Sequence, residues 1–237
     1  MIKKIFALLL ITQLYACAEL QSALGTILEE NAELTDSQIS AGLKEALNSG
    51  VSKGAATLSQ TDGYYKSSYK ILLPAEARKV TDKLKNIPGF TNVEEIILEK
   101  INRGAEDAAK KAKPIFVQAI KNMTFRDVMN ILMGEDDAAT RYLEGATSNK
   151  LYREFNPVIV ESLDKFNARQ YWSDAITAYN KIPFVEQINS DLDDYVTQEA
   201  LKGLFSMVEK EEKNIRNNLA ARTTDLLKRV FAKQDNK

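Results

Sequence analysis

Residues 102–112, NRGAEDAAKKA, carry the pattern that decides the fold class. Arg103 and Glu106 are three residues apart and therefore share one face of a helix. Small side chains accompany them on the same stretch, at Ala105, Ala108, Ala109 and Ala112. Because small residues let a neighbouring helix approach closely, the stretch predicts a helix packed against other helices, with its two charges partly buried.

Helical patterns extend from this stretch in both directions. Thr35 and Gln38 form a capping-box signature, and apolar residues follow at three-to-four-residue spacing, which predicts an amphipathic helix over residues 36–59. The glycines of this helix indicate close packing against a neighbouring helix, in preference to close approach of a ligand to the backbone. They are Gly42, Gly50 and Gly54. Further helices are predicted at residues 75–85, 92–113, 114–122, 124–133, 135–145, 148–168, 171–181, 190–216 and 219–233.

Proline and glycine mark the expected helix ends. Pro114 and Pro157 predict a break or kink because proline removes an intrahelical hydrogen bond. Gly134 and Gly145 are typical of helix stops. Residues 64–73, which follow a Thr-Asp-Gly turn and are rich in Tyr, Ile and Leu, predict a short strand or an extended segment.

The predicted fold class is mainly α, a compact multi-helix bundle with at most one short strand or extended segment near residues 64–73. No composition shift or Pro/Ser-rich linker divides the body of the chain. The predicted organisation is a lipoprotein signal peptide at residues 1–16, a lipidated N-terminus and tether at 17–34, and a single helical domain at 35–237.

The side-chain inventory excludes several classes of site. The chain of 237 residues has no histidine and one cysteine, which excludes Ser-His-Asp and Cys-His nucleophilic sites, Cys/His zinc sites and internal disulfides. Its 32 Lys and Arg nearly balance its 33 Asp and Glu, so no basic patch for nucleic acid is implied.

The N-terminus has the pattern of an export signal. Lys3 and Lys4 precede an apolar run at residues 5–11, which is too short to cross a bilayer core of roughly 30 Å as a helix. Residues 14–17, LYAC, resemble the bacterial lipobox, in which the cysteine becomes the new N-terminus and carries acyl chains. Cys17 is therefore the predicted lipid attachment residue.

An alternative cleavage stays open, because Ala16-Cys17-Ala18 also fits the small-x-small pattern of ordinary signal peptidase. Cleavage after Ala18 would release a soluble protein. For the lipoprotein, the expected location is the cell envelope, with the acyl chains in the outer membrane and the body facing the periplasm, because alanine and not aspartate follows the cysteine.

Six charged residues form the candidate charge cluster, and they are Arg103, Glu106, Glu209, Glu212, Arg216 and Arg222. The first two share the helix described above, and the other four flank the last predicted interhelical turn. We expect them to converge as one cluster that fixes helix packing. The alternatives are a ligand-binding site and an ordinary exposed pair on one helix, which is worth about 0.2–0.5 kcal/mol.

Acidic runs are interpreted as first helical turns and not as metal sites. The most calcium-like run, residues 191–194, DLDD, fails as an EF-hand loop because Tyr195 and Val196 stand where a ligand and a glycine are needed. Residues 135–137, EDD, receive the same helix-start explanation. No Walker A or Rossmann glycine pattern is present, so neither a metal nor a cofactor is expected, and no catalytic residue is assigned.

Four separated blocks resemble an uncharacterised bacterial lipoprotein family, domain of unknown function 4197. They are NRGAEDAAKKAKPIFVQAIKNMT, ILMGEDDAATRYLEGAT, DLDDYVTQEALKGLFSMVEKEEKNIR and AARTTDLLKRVF, in the family's order over roughly residues 35–233. The resemblance implies an exported, mostly helical envelope protein and no transferable activity. Leu219 stands where the family pattern has proline, which questions how tight that interhelical turn is.

The sequence therefore favours a non-enzymatic, membrane-anchored envelope protein. Its expected partners are the membrane, through the N-terminal acyl chains, and an unidentified envelope protein or apolar ligand. The rival hypothesis is an envelope enzyme that acts on glycan or lipid with carboxylates alone. An open pocket lined by carboxylates would favour the rival, and a helical groove or closed core without convergent charge would favour the first hypothesis.

Overall fold

Helices make up the regular secondary structure of the computed structural model, which describes residues 33–165, 167–186 and 192–235. They are α1 (Asp36–Leu58), α2 (Ala75–Leu84), α3 (Val93–Ala109), α4 (Ala112–Lys121), α5 (Phe125–Leu132), α6 (Ala138–Lys165), α7 (Ala168–Asn180), α8 (Leu192–Asn217), a 3₁₀ turn (Leu219–Ala221) and α9 (Asp225–Asp235). No strand occurs within these described ranges. The prediction of a mainly α fold is confirmed.

Contacts divide the chain into two units, residues 1–37 and residues 38–237. Of the first unit, the structure describes residues 33–37, whose last two residues begin α1. The predicted signal peptide, lipid attachment residue and most of the tether lie outside the described residues. The sites below all belong to the second unit.

Helix α6 is the central element of the second unit. It packs most extensively against α3 and α8, and α4, α5 and α7 also contact it. Its buried face includes Leu143, Leu151, Phe155 and Ile159, none of which is accessible to solvent. Burial of this apolar face against two long helices is the main source of helix stability in such a bundle.

Helix α6 continues through Gly145 and Pro157, so the predicted helix end at Gly145 is wrong and Pro157 does not break the helix. A Cβ added at Gly145 would meet no atom within 4 Å, which shows that the position makes no turn and no close approach. Buried residues lie on both sides of each breaker, and their packing outweighs a cost of about 1 kcal/mol for glycine and about 3 kcal/mol for proline. By contrast, Pro114 lies in the first turn of α4, where a missing N–H costs little.

The glycines of α1 lie against the C-terminal helices. A Cβ added at Gly42 would come within 2.7 Å of Val230 Cγ2 on α9, and one at Gly54 within 3.2 Å of Met207 Cγ on α8. These distances leave no room for a side chain unless the neighbour moves. The close-packing interpretation is confirmed at both positions.

Residues 64–73 form turns followed by irregular chain, so the strand alternative does not occur here. The side chain of Asn102 on α3 makes the backbone hydrogen bonds that a neighbouring strand would otherwise make. Its Oδ1 accepts from the Ile71 backbone N–H at 2.8 Å, and its Nδ2 donates to the Ile71 carbonyl at 2.9 Å. Both backbone groups of a buried residue are thereby satisfied without a sheet.

Among the described residues, no helix combines enough length with enough apolar character to span a membrane.

Candidate functional site

The six predicted charged residues lie in two groups and one surface pair, not in one cluster. Arg103 and Glu106 are on α3, whereas Glu212, Arg216 and Arg222 surround the end of α8. No hydrogen bond or ion pair joins the two groups in the part of the chain that the structure describes. The expected convergence is wrong because the end of α8 packs on the junction between α5 and α6 and not on α3.

Glu209 is the sixth residue, and it belongs to neither group. It forms an exposed ion pair with Lys213 four residues later on α8. The surface-pair alternative concerns Glu212 and Arg216, and it is wrong because both side chains are buried. Glu209 is the member of the set that forms an ordinary i,i+4 surface pair.

The first group, named here the α3 cluster, consists of Asp62, Arg103 and Glu106. Arg103 Nη1 donates to Glu106 Oε2 at 2.9 Å, and Nη2 donates to Asp62 Oδ1 at 2.8 Å. Glu106 Oε1 accepts from the backbone N–H groups of Tyr64 and Tyr65 at 3.2 and 3.1 Å. The α3 cluster therefore fastens the turn after α1 to the middle of α3.

The backbone of this turn depends on two special residues. Asp62 has a φ of 69°, in the left-handed region that aspartate tolerates better than most residues. A Cβ at Gly63 would lie only 2.5 Å from the Thr57 carbonyl oxygen, so no other residue fits there without backbone movement. The Thr-Asp-Gly signal in the sequence located the turn, but it did not indicate that Asp62 would pair with Arg103.

Tyr64 anchors the turn in the core. Its side chain is fully buried, and its hydroxyl donates to the Ala200 carbonyl of α8 at 2.7 Å. Gly203 makes room for the ring, since a Cβ there would lie 2.9 Å from Tyr64 Cε1. The turn thus connects α1, α3 and α8, and no sequence pattern predicted this connection.

The charge states of the α3 cluster follow from its contacts. The hydrogen bond from Arg103, with a second from Lys66, holds the pKa of the Asp62 carboxyl below its usual value. The hydrogen bond to Glu106 raises the pKa of Arg103 despite partial burial. Burial raises the pKa of Tyr64, and the nearby Glu106 charge adds to that effect. Near neutral pH, Asp62 and Arg103 are charged and Tyr64 is neutral.

Asp62→Asn is expected to lower stability at pH 7, with a difference from the unmutated protein that shrinks in acid. The pKa of Asp62 is lower in the folded protein than in the unfolded chain, where it is about 3.9. Its contribution is therefore complete above about pH 4 and disappears as the pH falls through the folded-state pKa. Urea unfolding of both proteins between pH 7 and pH 2 measures this. A stability gap that stays constant over that range would contradict it.

The second group, named here the α8 cluster, consists of Glu212, Arg216 and Arg222. Glu212 Oε1 accepts from the Ala139 backbone N–H at 2.9 Å, and Oε2 accepts from the Thr140 N–H and hydroxyl, each at 2.8 Å. These N–H groups belong to the first turn of α6 and have no partner within that helix. The carboxylate thus satisfies them and places a negative charge at the positive end of the helix dipole.

The arginines of the α8 cluster bind helix C-termini in the same way. Arg216 pairs with Glu212 at 2.9 Å and also donates to the carbonyls of Ile131 and Leu132 at the end of α5, at 2.8 and 3.3 Å. Arg222 donates to the carbonyls of Ile215 and Arg216 at the end of α8, at 3.1 and 2.7 Å. One contiguous group of charges therefore caps three helix ends.

The turn that contains Leu219 is short despite the absence of proline. Leu219 begins the 3₁₀ turn, and the Asn218 side chain accepts from the Ala220 N–H at 3.0 Å. Arg222 then reaches Asp235 on α9, and this hydrogen bond lowers the pKa of Asp235. Side-chain hydrogen bonds therefore constrain this turn without a proline.

An open groove of about 500 Å³ lies on the surface between α6 and α8, and is named here the α6–α8 groove. Its walls include three carboxylates, one of which is the predicted Glu209. The lining residues are Thr140, Glu144, Ser148, Gln198, Glu199, Leu201, Lys202, Phe205, Ser206 and Glu209. No sequence pattern predicted this groove, because the groove forms only where two helices distant in the sequence pack together.

The acidic runs are placed near helix starts. Asp193 and Asp194 lie in the first turn of α8, as expected, whereas Asp191 is outside the described residues. Residues 135–137 lie at the start of α6, directly before its first turn, and the Asp137 carbonyl accepts a backbone bond from the Arg141 N–H. Within the described ranges, no group of three or more His, Cys, Asp or Glu side chains is arranged to hold a metal ion.

The fold and its two charge clusters define a helical bundle in which buried charged side chains bind the protein's own backbone, at one turn and at three helix ends. The chain belongs to the family described as "Protein of unknown function (DUF4197)", whose model matches residues 33–232. Comparison with curated proteins and with solved structures finds no match.

Proposed function

We propose that this protein is a membrane-anchored lipoprotein of the bacterial envelope that binds a partner and catalyses no reaction. The observation that supports membrane anchoring is the N-terminal pattern of two lysines, a short apolar run and the lipobox-like residues 14–17. Two or three acyl chains on Cys17 would hold the body at a membrane, since each buried CH₂ contributes about 0.8 kcal/mol. The proposed location is the outer membrane, on its periplasmic side.

The use of the buried carboxylates supports binding over catalysis. Both oxygens of Glu106 and both oxygens of Glu212 accept hydrogen bonds from backbone N–H groups, a hydroxyl or an arginine. A general acid or base has to reach the proton that it transfers on a substrate. These two carboxylates are occupied in holding the turn after α1 and the start of α6.

The α6–α8 groove is the observation that favours the second candidate, a carboxylate-dependent enzyme acting on glycan or lipid. Glu144, Glu199 and Glu209 line an open space, as a glycosidase would require of two such groups. Two of the three are paired with lysines on their own helix, Glu199 with Lys202 and Glu209 with Lys213. These pairs hold both carboxylates beside lysines of α8, which weakens the case for either of them as the group that transfers a proton to a substrate.

Cys17→Ser is expected to move the protein from the membrane fraction to the soluble periplasmic fraction. The substitution removes the thiol that would carry the diacylglycerol. Fractionation followed by immunoblotting measures the change, and Ala18→Ser is the matched control because it keeps the cysteine. If the unmutated protein is soluble and begins at Glu19, ordinary signal peptidase cleavage is correct and the anchor is not.

Turnover assays separate the two candidate functions. Purified protein incubated with peptidoglycan or with phospholipid vesicles is expected to release no product. Product that disappears in the Glu144→Gln, Glu209→Gln double variant would establish the second candidate. Crosslinking and co-purification from native membranes test the binding proposal directly, and reproducible failure to capture any partner would count against it.

A further inference from the structure

We propose that the α6–α8 groove docks a basic, amphipathic helical segment of a partner protein. This inference rests on the proposed binding function and adds the site and the chemistry of the partner.

The walls are two antiparallel helices held in fixed register. The Glu212 contact with Thr140 lies near one end, and at the other end Asn156 Nδ2 donates to Thr197 Oγ1 at 3.2 Å. Along α8 the groove extends from Gln198 to Glu209, which at 1.5 Å per residue is about 16 Å. That length accommodates about three turns of a docked helix.

The floor of the groove is apolar. Leu201 and Phe205, four residues apart on α8, line it, and they are 8% and 6% exposed. The Phe205 ring is supported from below by an edge-to-face contact with Phe116 of α4, with ring centroids 5.8 Å apart. A docked helix would match this floor with two apolar side chains at i and i+4.

The rim is acidic. Glu144 stands on the α6 wall, and Glu199 and Glu209 stand on the α8 wall. Lysines of α8 pair with Glu199 and Glu209, so Glu144 carries the unbalanced negative charge of the rim. Glu144 forms no ion pair within the described residues. Complementary charge on the occupant is therefore lysine or arginine, and an anionic ligand would be repelled.

Fluorescence anisotropy can test this with the mature lipidated protein in phosphatidylcholine nanodiscs. The probe is a labelled alanine-based helical peptide of about 15 residues, with two leucines at i and i+4 and lysines flanking them. The control probe carries glutamate in place of each lysine, and empty nanodiscs provide the blank. The unmutated protein should bind the lysine probe and not the glutamate probe.

Two charge-reversal variants on the same helix locate the binding. Glu144→Lys is expected to weaken binding of the lysine probe at least about tenfold, equivalent to about 1.4 kcal/mol. Glu154→Lys makes the same charge change on an exposed position of α6 outside the groove, and should have little effect. Both residues are exposed, so both variants should keep the unmutated thermal unfolding midpoint.

The opposite results would overturn the proposal. Equal weakening by the two variants would mean that the overall charge of the protein, and not the groove, attracts the lysine probe. Equal binding of the two probes would mean that the groove does not distinguish basic from acidic peptides. A dimer that dissociates in Glu144→Lys would assign the groove to a second copy of the chain.

The partner-capture assay keeps the two proposals distinct. If Glu144→Lys captures the same partner from membranes as the unmutated protein, binding stands and the groove is not its site. If neither protein captures a partner, the proposed function itself fails.

Discussion

Arg216→Ala is expected to destabilise the protein by about 3–5 kcal/mol, the usual cost of removing one partner of a buried ion pair. The side chains of Arg216 and Glu212 are 1% and 4% exposed. Without Arg216, the Glu212 charge loses its cation, and the carbonyls of Ile131 and Leu132 lose a buried donor. Urea unfolding monitored by circular dichroism measures the change in free energy of unfolding.

Lys213→Ala is the matched control for Arg216→Ala. Lys213 pairs with Glu209 at the same i,i+4 spacing on the same helix, but both side chains are exposed. Solvent and salt screen such a pair, so its loss should leave stability almost unchanged. Similar losses in the two variants would show that burial and helix capping do not determine the effect.

Double variants distinguish contact within a cluster from mere proximity in the fold. Glu212→Ala combined with Arg216→Ala should show a coupling energy, because the two side chains touch. Arg103→Ala combined with Glu212→Ala should be additive, because these residues belong to different clusters. Coupling in the second pair would restore the single-cluster expectation.

Glu106→Ala is expected to cost about 3–4 kcal/mol, and Glu106→Gln less. Alanine leaves the N–H groups of Tyr64 and Tyr65 without their acceptor, and each unsatisfied buried group costs about 1–3 kcal/mol. Arg103 also loses one of its carboxylates, although Asp62 remains. Glutamine keeps one acceptor oxygen for the turn but brings an N–H group towards the guanidinium.

Glu99→Ala is the matched control for Glu106→Ala. Glu99 is also a glutamate of α3 paired with Arg103, at 3.6 Å, but its side chain is 52% exposed. Its loss should cost less than about 1 kcal/mol. Hydrogen exchange provides a local readout, because Glu106→Ala should expose the amides of Tyr64 and Tyr65 to exchange. If those amides stay protected, the turn is held by other contacts.

Local patterns predicted part of the site. The i,i+3 spacing of Arg103 and Glu106 among alanines predicted a packed helical face with partly buried charge, and Glu106 is buried with Arg103 beside it. The α3 cluster and the α8 cluster both also contain residues of the predicted charge cluster. These successes share one cause, which is that side chains three or four residues apart on a helix must lie together.

Long-range partners could not be predicted in this way. Asp62 is 41 residues from Arg103, and its carboxylate meets the guanidinium only because Gly63 and Tyr64 fix the turn against α3. Glu212 accepts hydrogen bonds from Thr140 and Ala139 at the start of α6, which precede it by 72 and 73 residues. Similarly, propensity predicted a helix end at Gly145, but the burial of Leu143 and Leu151 on either side decided the outcome.

The capping of α6 by a residue from α8 has a consequence for how the chain acquires its structure. A helix whose first turn is satisfied by its own N-cap residue can form locally, whereas α6 depends on Glu212 from the far end of another helix. The first turn of α6 should therefore fray until α8 has docked, and the Glu212 contacts should form after the folding transition state. Substitutions in the α8 cluster would then act mainly by speeding unfolding, and the lifetime of the native state would depend on them more than the folding rate does.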